Sequence, residues 1–401
     1  MIPLAKQNID FKALGSAIET VMKSGWWTTG KVTQQLEEEF ADYIGTKYVV
    51  ATNSCSMALI MSIRVALEQQ KHKGCPNDRV IVSPLTFVST VNAILFNNLV
   101  PFFVDVKMDT LNIDEERAVE IINEGSNKYS QCIGILPVHF GGNSCNMDIL
   151  CSLDNSIFIV EDCAHAVETK WKGRHVGIFG LCGCYSFNPT KNLFGTEMGM
   201  VTTNDGEVAK KLQLLRCHGM DQSSFDRVEK KGDYDVSILG YKANPTDIEA
   251  AVSLLSLRQI GQDWFLREDI AFVYGEFFDE MIRKGLFNGD YFPNNKKMIP
   301  PFVSKKNVHG LHLFQITINN RDKFIQEMKK RKVYCGIHYK PVHLHSYYMN
   351  KYGYTKGNFP NSEWLGEHLV TLPLGAGMSL DDQEYVCDQI EKLFETGEYL
   401  L

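Results

Sequence analysis

From residue 47 to about residue 205 the chain alternates short apolar runs with stretches whose apolar residues recur at helical spacing, and this alternation constrains the fold more than any other feature. KYVVAT, VIVS, VPFFVDV, CIGILPVHF, IFIVED and CYSF read as near-continuous apolar strands, separated by helical patterns such as MALIMSIRVAL. A strand that is apolar along its whole length is buried on both faces, which implies helices above and below a mostly parallel sheet. The fold class expected is α/β.

The flanks extend this reading. Residues 11–23, 33–44 and 207–216 carry helical periodicity, and Thr246 with Glu249 has the spacing of a capping box ahead of another helix. Amphipathic residues 262–284 continue that helical region. The polar stretches SSFDRVEKKGDYD and NNKKMIPPFVSKKN read as a surface loop and a linker. LHLFQITI, a helix at 322–331, VYCGIHY and a helix at 378–395 then suggest a smaller α+β unit. The division expected is a large α/β domain at 1–260 and a small C-terminal domain at 261–401, with the N-terminal helix packing on the small one.

With 401 residues and 44% hydrophobic content, the chain can bury a large core. A formal charge of −7 gives no general attraction to nucleic acid or anionic membranes, so any phosphate site must be local. Eleven cysteines without a repeated CxxC pair fit small core residues in a reducing compartment. No run of 18 apolar residues occurs and the N-terminus lacks a long apolar segment, so the expected location is the cytoplasm.

The stretch from Ile157 to Asp205 concentrates the chemistry. Two buried strands end there in polar residues, as parallel strands do where they open onto a ligand crevice. The first gives Glu161 and Asp162. The second gives Ser186, then Asn188, Pro189, Thr190 and Lys191. A carboxylate at one strand end and a lysine past the other suit a cofactor that needs an anion at one pole and an amine at its aldehyde, which describes pyridoxal phosphate. Ser54, Cys55 and Ser56 precede a helix that starts near Met57, so they form either a phosphate cradle or an ordinary N-cap. Phe87, at another helix start, either stacks on a flat ring or packs in the core. His338, His343 and His345 lack an acidic or Cys partner at ligand spacing nearby, so no metal is expected. Cys163 and His165 stand two apart at one strand end without a third orienting group, which fits an inert buried thiol.

The motifs SGWWTTGKVTQQLEEEF, TNSCSMAL, SPLTFVSTVNA, PVHFGG, VEDCAHA, YSFNPTKN, GTEMGMVTTND, HGM, GYKANPTDIEAA and GIHYKPVH occur in this order. In that order and over nearly the full length, the chain resembles the DegT/StrS family of pyridoxal-phosphate-dependent nucleotide-sugar aminotransferases, of the aspartate-aminotransferase fold type I. The resemblance implies that Lys191 carries the cofactor through its aldehyde and that Asp162 partners the ring nitrogen. It puts His165 near the phenolic oxygen, makes Phe87 the stacking aromatic, and gives Ser186 and the backbone of Cys55 and Ser56 to the phosphate. Asn244 would reach the phosphate of the neighbouring subunit's cofactor in a homodimer with shared sites. Trp26, Trp27, Thr29, His338 and Tyr339 would line the sugar and nucleotide side. At Cys55 the family commonly has Gly or Ala, and at Pro245 an aliphatic residue, so the chain departs from the pattern there.

The activity implied is transfer of an amine from glutamate to a nucleotide-linked keto sugar. Relatives that dehydrate the sugar carry His where Lys191 stands. SGWWTTG, FVSTVNA, GYKAN and the SEW ahead of LPL are most similar to members that aminate C4 of UDP- or dTDP-linked sugars for surface glycans, with C3 amination the alternative. A non-catalytic regulatory homologue would lack Lys191 or Asp162, and both are present.

Overall fold

In the computed structural model, which describes residues 1–70, 78–124, 132–221, 233–293 and 306–401, the apolar runs of the first half join in one seven-stranded sheet. Its strands are β1 (Tyr48–Thr52), β2 (Arg79–Val82), β3 (Val100–Phe103), β4 (Cys132–Leu136) and β5 (Phe158–Asp162). A small ribbon follows, of β6 (Lys170–Trp171) and β7 (Arg174–His175), before β8 (Cys182–Ser186) and β9 (Gly199–Thr203) complete the sheet. The spatial order is β3-β2-β4-β5-β8-β9-β1. From β3 to β8 every neighbouring pair is parallel, and β9 runs antiparallel to both β8 and β1. The α/β architecture expected from the alternation is therefore present, with strands buried on both faces, as in β9, where all five residues are buried.

Helices cover the sheet. Cys55–Gln69 buries ten of its residues against it, capped at its start by Ser54 Oγ, which accepts from Met57 N at 3.2 Å. The helix Asp247–Arg283 is 37 residues long and begins in the capping box of Thr246 and Glu249. Its first half sets Ala250, Leu254, Leu257 and Ile260 in a core with Phe40, Tyr185 and Phe187. Its second half gives Ile270, Tyr274 and Phe278 to a different core. The passage from one core to the other thus lies inside a continuous helix, between Ile260 and Ile270. The N-terminal helix Phe11–Ser24 packs along this long helix.

The second core forms around an antiparallel sheet of β10 (Tyr291–Phe292), β11 (Phe314–Thr317) and β12 (Leu369–Leu372). Phe278, Phe314, Phe324 and Phe394 are fully buried there, and truncating such a Phe to Ala costs about 3–5 kcal/mol. The sequence reading missed β12 and the helices Ser346–Tyr352 and Pro360–His368. VYCGIHY, expected as a strand, forms only single bridges, Ile2 to Val333 and Gly336 to Thr371. Most of SSFDRVEKKGDYD and NNKKMIPPFVSKKN lies outside the described residues. No described helix is long and apolar enough to cross a membrane.

Candidate active site

The site is built where β5 and β8 end side by side, in the parallel register that pairs Asp162 with Cys184. Asp162 is buried, and its two carboxylate oxygens are held separately: Thr90 Oγ1 donates to Oδ2 at 2.7 Å and Ala164 N to Oδ1 at 3.0 Å. Burial raises its pKa despite those donors, so a cationic partner in the cavity would stabilise the carboxylate. The preceding residue, Glu161, points the other way. It accepts from Gly177 N, Phe179 N and Gly180 N and meets His139 Nε2 at 3.1 Å, which ties down the segment leading into β8. Cys163 sits beside that pair, close enough to suggest a three-ligand cluster. The ring nitrogens of His139 and both oxygens of Glu161 are already engaged, His139 Nδ1 by Cys145 N at 3.1 Å, so the cluster reads as a structural lock.

Past β8 the chain turns at Asn188. Its side-chain oxygen accepts from Thr190 N and Oγ1, its carbonyl accepts from Lys191 N at 2.9 Å, and its amide donates to Glu197 at 2.9 Å. The turn delivers Lys191 into the same cavity as Asp162. Burial pulls the Lys191 ammonium down from 10.5 to about 8, with the nearby Asp162 carboxylate opposing. The amine is therefore a free base at a lower pH than an exposed lysine, as imine chemistry requires.

Two histidines flank the lysine. Gly141 N donates to His165 Nδ1 at 3.2 Å, which leaves the proton on Nε2, facing the Tyr339 hydroxyl at 3.1 Å. His312 Nδ1 lies 3.1 Å from Asn192 Oδ1, an acceptor because the Asn192 amide donates to Glu168 and to Gly310 O. The lone pair on His312 Nε2 then faces Lys191 Nζ at 3.5 Å, the outer limit of a hydrogen bond. The rings of His165 and His312 are 4.4 Å apart, and burial holds both well below the usual imidazole pKa. Sequence reasoning missed His312. The signal available was a titratable residue near the start of the largely apolar run LHLFQITI.

These residues surround a cavity of about 360 Å³. Ser54, Cys55 and Ser56 line it at the start of a helix whose first N–H groups have no partner within the helix, and Ser186, at the end of β8, lines it with them. β9 presses closely here: a Cβ on Gly199 would lie 2.5 Å from Cys55 N, so only glycine admits this approach. Cys55 is buried in the core under the helix as well as lining the cavity. Asp162, Lys191 and the exposed face of Phe87 also line it, with the Phe87 ring 5.9 Å from that of Tyr339. The donor set fits pyridoxal phosphate: a helix start and hydroxyls for the phosphate, an anion for the ring nitrogen, an amine for the aldehyde.

His338 and Tyr339 line the cavity as expected. His338 Nδ1 meets Thr371 Oγ1 at 2.8 Å, and burial lowers its pKa to about 4. Trp26, Trp27, Thr29 and Asn244 do not reach it within one chain. Trp26 Nε1 donates to Thr29 O and Trp27 Nε1 to Met22 O, so both indoles close the local turn. Asn244 Nδ2 donates to Thr29 Oγ1 at 2.9 Å, and both residues line a separate surface cleft together with Arg216 and Lys242. Asp247 fixes that turn by accepting from Gly30 N at 2.8 Å and from Thr33 N at 3.0 Å. His343 does have an acidic partner, Glu363 at 3.0 Å, but it comes from twenty residues further along, outside the loop of the three histidines. Cys163 is fully buried and its thiol is pushed well up by burial, as an inert thiol should be.

Comparison with known proteins agrees with this geometry. The family described as the DegT/DnrJ/EryC1/StrS aminotransferase family matches residues 10–391. The uncharacterized protein MJ1066 of Methanocaldococcus jannaschii is 35% identical over 402 residues, covering 98% of this chain and 97% of that protein. The spore coat polysaccharide biosynthesis protein SpsC of Bacillus subtilis is 34% identical over 388 residues, covering 94% and 93%. Among solved structures, the putative sugar aminotransferase Spr1654 of Streptococcus pneumoniae in its PMP form superimposes with a TM-score of 0.85 at 26% identity, covering 99% of this chain and all of that one. With the family matched over nearly its whole length and Lys191 and Asp162 in one cavity, this chain belongs to the DegT/DnrJ/EryC1/StrS aminotransferase family of pyridoxal-phosphate-dependent enzymes.

Proposed function

We propose that the enzyme moves an amine from glutamate to a nucleotide-linked keto sugar, at C4 of a UDP- or dTDP-linked sugar made for a surface polysaccharide. One observation supports an extended, phosphate-bearing acceptor. A second cavity of about 650 Å³ adjoins the first and shares Thr86, Phe87 and Tyr339 with it. Lys340, Lys351 and His345 line it, and in a chain of net charge −7 no acidic residue among the described ones does. Among the described residues no carboxylate lies within ion-pair distance of Lys340 or Lys351. The exposed faces of Phe96 and Tyr347 add stacking surface for a base. The relative named for spore coat polysaccharide biosynthesis supports the pathway, and the structural neighbour named as a putative sugar aminotransferase supports the substrate class.

Bound pyridoxal phosphate supplies an aldehyde that accepts the amine and a ring that withdraws electrons. Ser54, Cys55, Ser56 and Ser186 would hold its phosphate, Phe87 its ring face, and Asp162 its protonated nitrogen. Lys191 would hold the aldehyde between turnovers and, once its amine is released, would serve as the base for the glutamate Cα proton and as the acid that protonates the sugar carbon. His165, with its proton on Nε2, orients the group beside Tyr339. Donor and acceptor use one site in turn, so ping-pong kinetics follow. Asn244, Thr29, Trp26 and Trp27, remote from Lys191 within one chain, complete the site of a second copy.

The test offers glutamate with a panel of keto-sugar nucleotides and reads amine transfer by mass spectrometry. The 3-keto and 4-keto isomers of one dideoxy sugar nucleotide are then compared, with the new C–N bond located by NMR. Amination only at C3 would refute the C4 assignment. Amination of free keto sugars but of no nucleotide-linked ones would refute the role given to the second cavity.

A further inference from the structure

Residues 2–8 form a strap from the small sheet to the lysine turn, and transamination as described makes no use of it. Ile2 N donates to Lys332 O at 2.8 Å and Ile2 O accepts from Tyr334 N at 3.0 Å. Leu4 O accepts from Leu374 N at 3.0 Å, Lys6 O from Gly377 N at 2.8 Å, and the Lys6 ammonium meets Asp382 at 2.6 Å. The fit is tight. A Cβ on Gly375 would lie 2.5 Å from Lys6 O, and one on Gly377 would lie 2.4 Å from Gln7 O. Backbone atoms cannot retreat as a side-chain tip can, so the strap is held against the turn that follows β12. At its far end Asn8 is fixed by Asp263 at 2.9 Å and Gln259 at 2.6 Å, both on the long helix.

Between these anchors Gln7 turns toward the active site. Its Nε2 donates both hydrogens, to Pro189 O at 2.9 Å and to Lys191 O at 2.9 Å. We infer that Gln7 is a positioning residue for Lys191: its amide clamps the backbone on either side of Thr190 and, through the strap, ties the pose of the lysine to the edge of the small sheet. Two carbonyls converging on one point need two donors. A glutamine amide meets that need without adding charge, whereas a glutamate at that point would set acceptor against acceptor. Leu4 and Ala5, next along the strap, line the catalytic cavity, so the segment that clamps the lysine also forms part of the wall met by the substrate.

The test uses holoenzyme carrying Gln7→Met, which keeps length and removes the donors, or Gln7→Glu, which opposes both carbonyls. Three quantities are read: the pH titration of the cofactor's visible band, the rate of the glutamate half-reaction, and the thermal midpoint. Gln7→Met should bind cofactor and melt close to the parent, yet shift the titration of the band and lower kcat about tenfold with little change in KM for glutamate. Gln7→Glu should be further impaired near neutral pH and partly rescued as pH falls toward about 4, where a protonated carboxyl regains one donor. Lys6→Ala, which cuts one distal tie, should show a smaller shift in the same direction. Parent-like titration and kcat in both Gln7 variants would overturn the inference, and so would losses that track the thermal midpoint with the band unmoved. The inference rests on Lys191 carrying the cofactor. That premise is read on the parent protein alone, where a band without a lysine linkage would overturn it separately.

Discussion

Thr90 donates its hydroxyl to Asp162 Oδ2 at 2.7 Å, and the Thr86 hydroxyl lies 3.1 Å from that of Thr90. Both threonines are buried where the chain enters the helix Val88–Phe96, so the catalytic carboxylate is steered from a different strand-to-helix turn than its own. Burial and donors act on Asp162 in opposite senses, and burial wins. Its ionised form thus depends on every donor it keeps and on a cation beside it.

Thr90→Val is nearly isosteric and removes one of those donors. A buried acceptor deprived of a partner costs about 1–3 kcal/mol, so cofactor affinity should fall about tenfold. The pKa of Asp162 would rise further, so cofactor release on acidification should begin at a higher pH than in the parent. Absorbance titration of cofactor-free protein at two or three pH values measures both effects. Unchanged affinity would show that Thr90 contributes packing alone.

Lys191→Ala should abolish both the visible band and turnover while leaving the far-ultraviolet dichroism of the parent. Borohydride reduction of the parent followed by peptide mapping should place the cofactor on Lys191. Label on another lysine would remove Lys191 from its role.

The stretch from Ile157 to Asp205 was legible because buried parallel strands are apolar throughout, which makes the polar residues at their ends conspicuous. Phe158–Asp162 and Cys182–Ser186 deliver Asp162 and Lys191 to one cavity as that pattern implied. His312 was not legible, since its function depends on Asn192, which lies 120 residues earlier in the chain. Gln7 was hidden in the same way, in a segment without periodicity. Trp26 and Trp27 show what a single chain leaves open: adjacent aromatics look like ligand-binding surface, and within the chain each indole N–H closes a local turn. β12 escaped notice because LVTL is four residues long and follows directly on a helix.

The depressed pKa of Lys191 predicts how cofactor-free protein responds to alkali. In the unfolded chain this lysine titrates near 10.5, and in the folded one near about 8. Between those values the unfolded state binds more protons, so this group's contribution to stability rises with pH across that window and is level on either side of it. Buried tyrosines and cysteines, whose pKa values are raised, act in the opposite sense over the same range. The informative quantity is therefore the difference between the parent and Lys191→Met, each unfolded in urea at pH values below, within and above the window. That difference should favour Lys191→Met most at the low end and shrink as pH rises. A difference independent of pH would mean that Lys191 titrates normally in the folded state.

The separation of Asn244 and Thr29 from Lys191 leads to the last prediction. Asn244 sits with Thr29 in a cavity lined by Arg216 and Lys242, away from the cavity of Lys191, although the family resemblance gives it a phosphate to reach. If two copies bring these cavities together, the site of each contains Lys191 of one protomer and Asn244 of the other. Lys191→Ala and Asn244→Ala should each be impaired, the first completely. When the two variants are mixed, unfolded together and refolded, one hybrid site in the mixed dimer retains both residues. Activity should then recover toward one quarter of the parent's, because about half the dimers are mixed and one of their two sites is intact. Sedimentation of the parent at assay concentration should show a dimer. A fully active monomer, or a refolded mixture no more active than Asn244→Ala alone, would place Asn244 outside the shared site and leave the chemistry at Lys191 untouched.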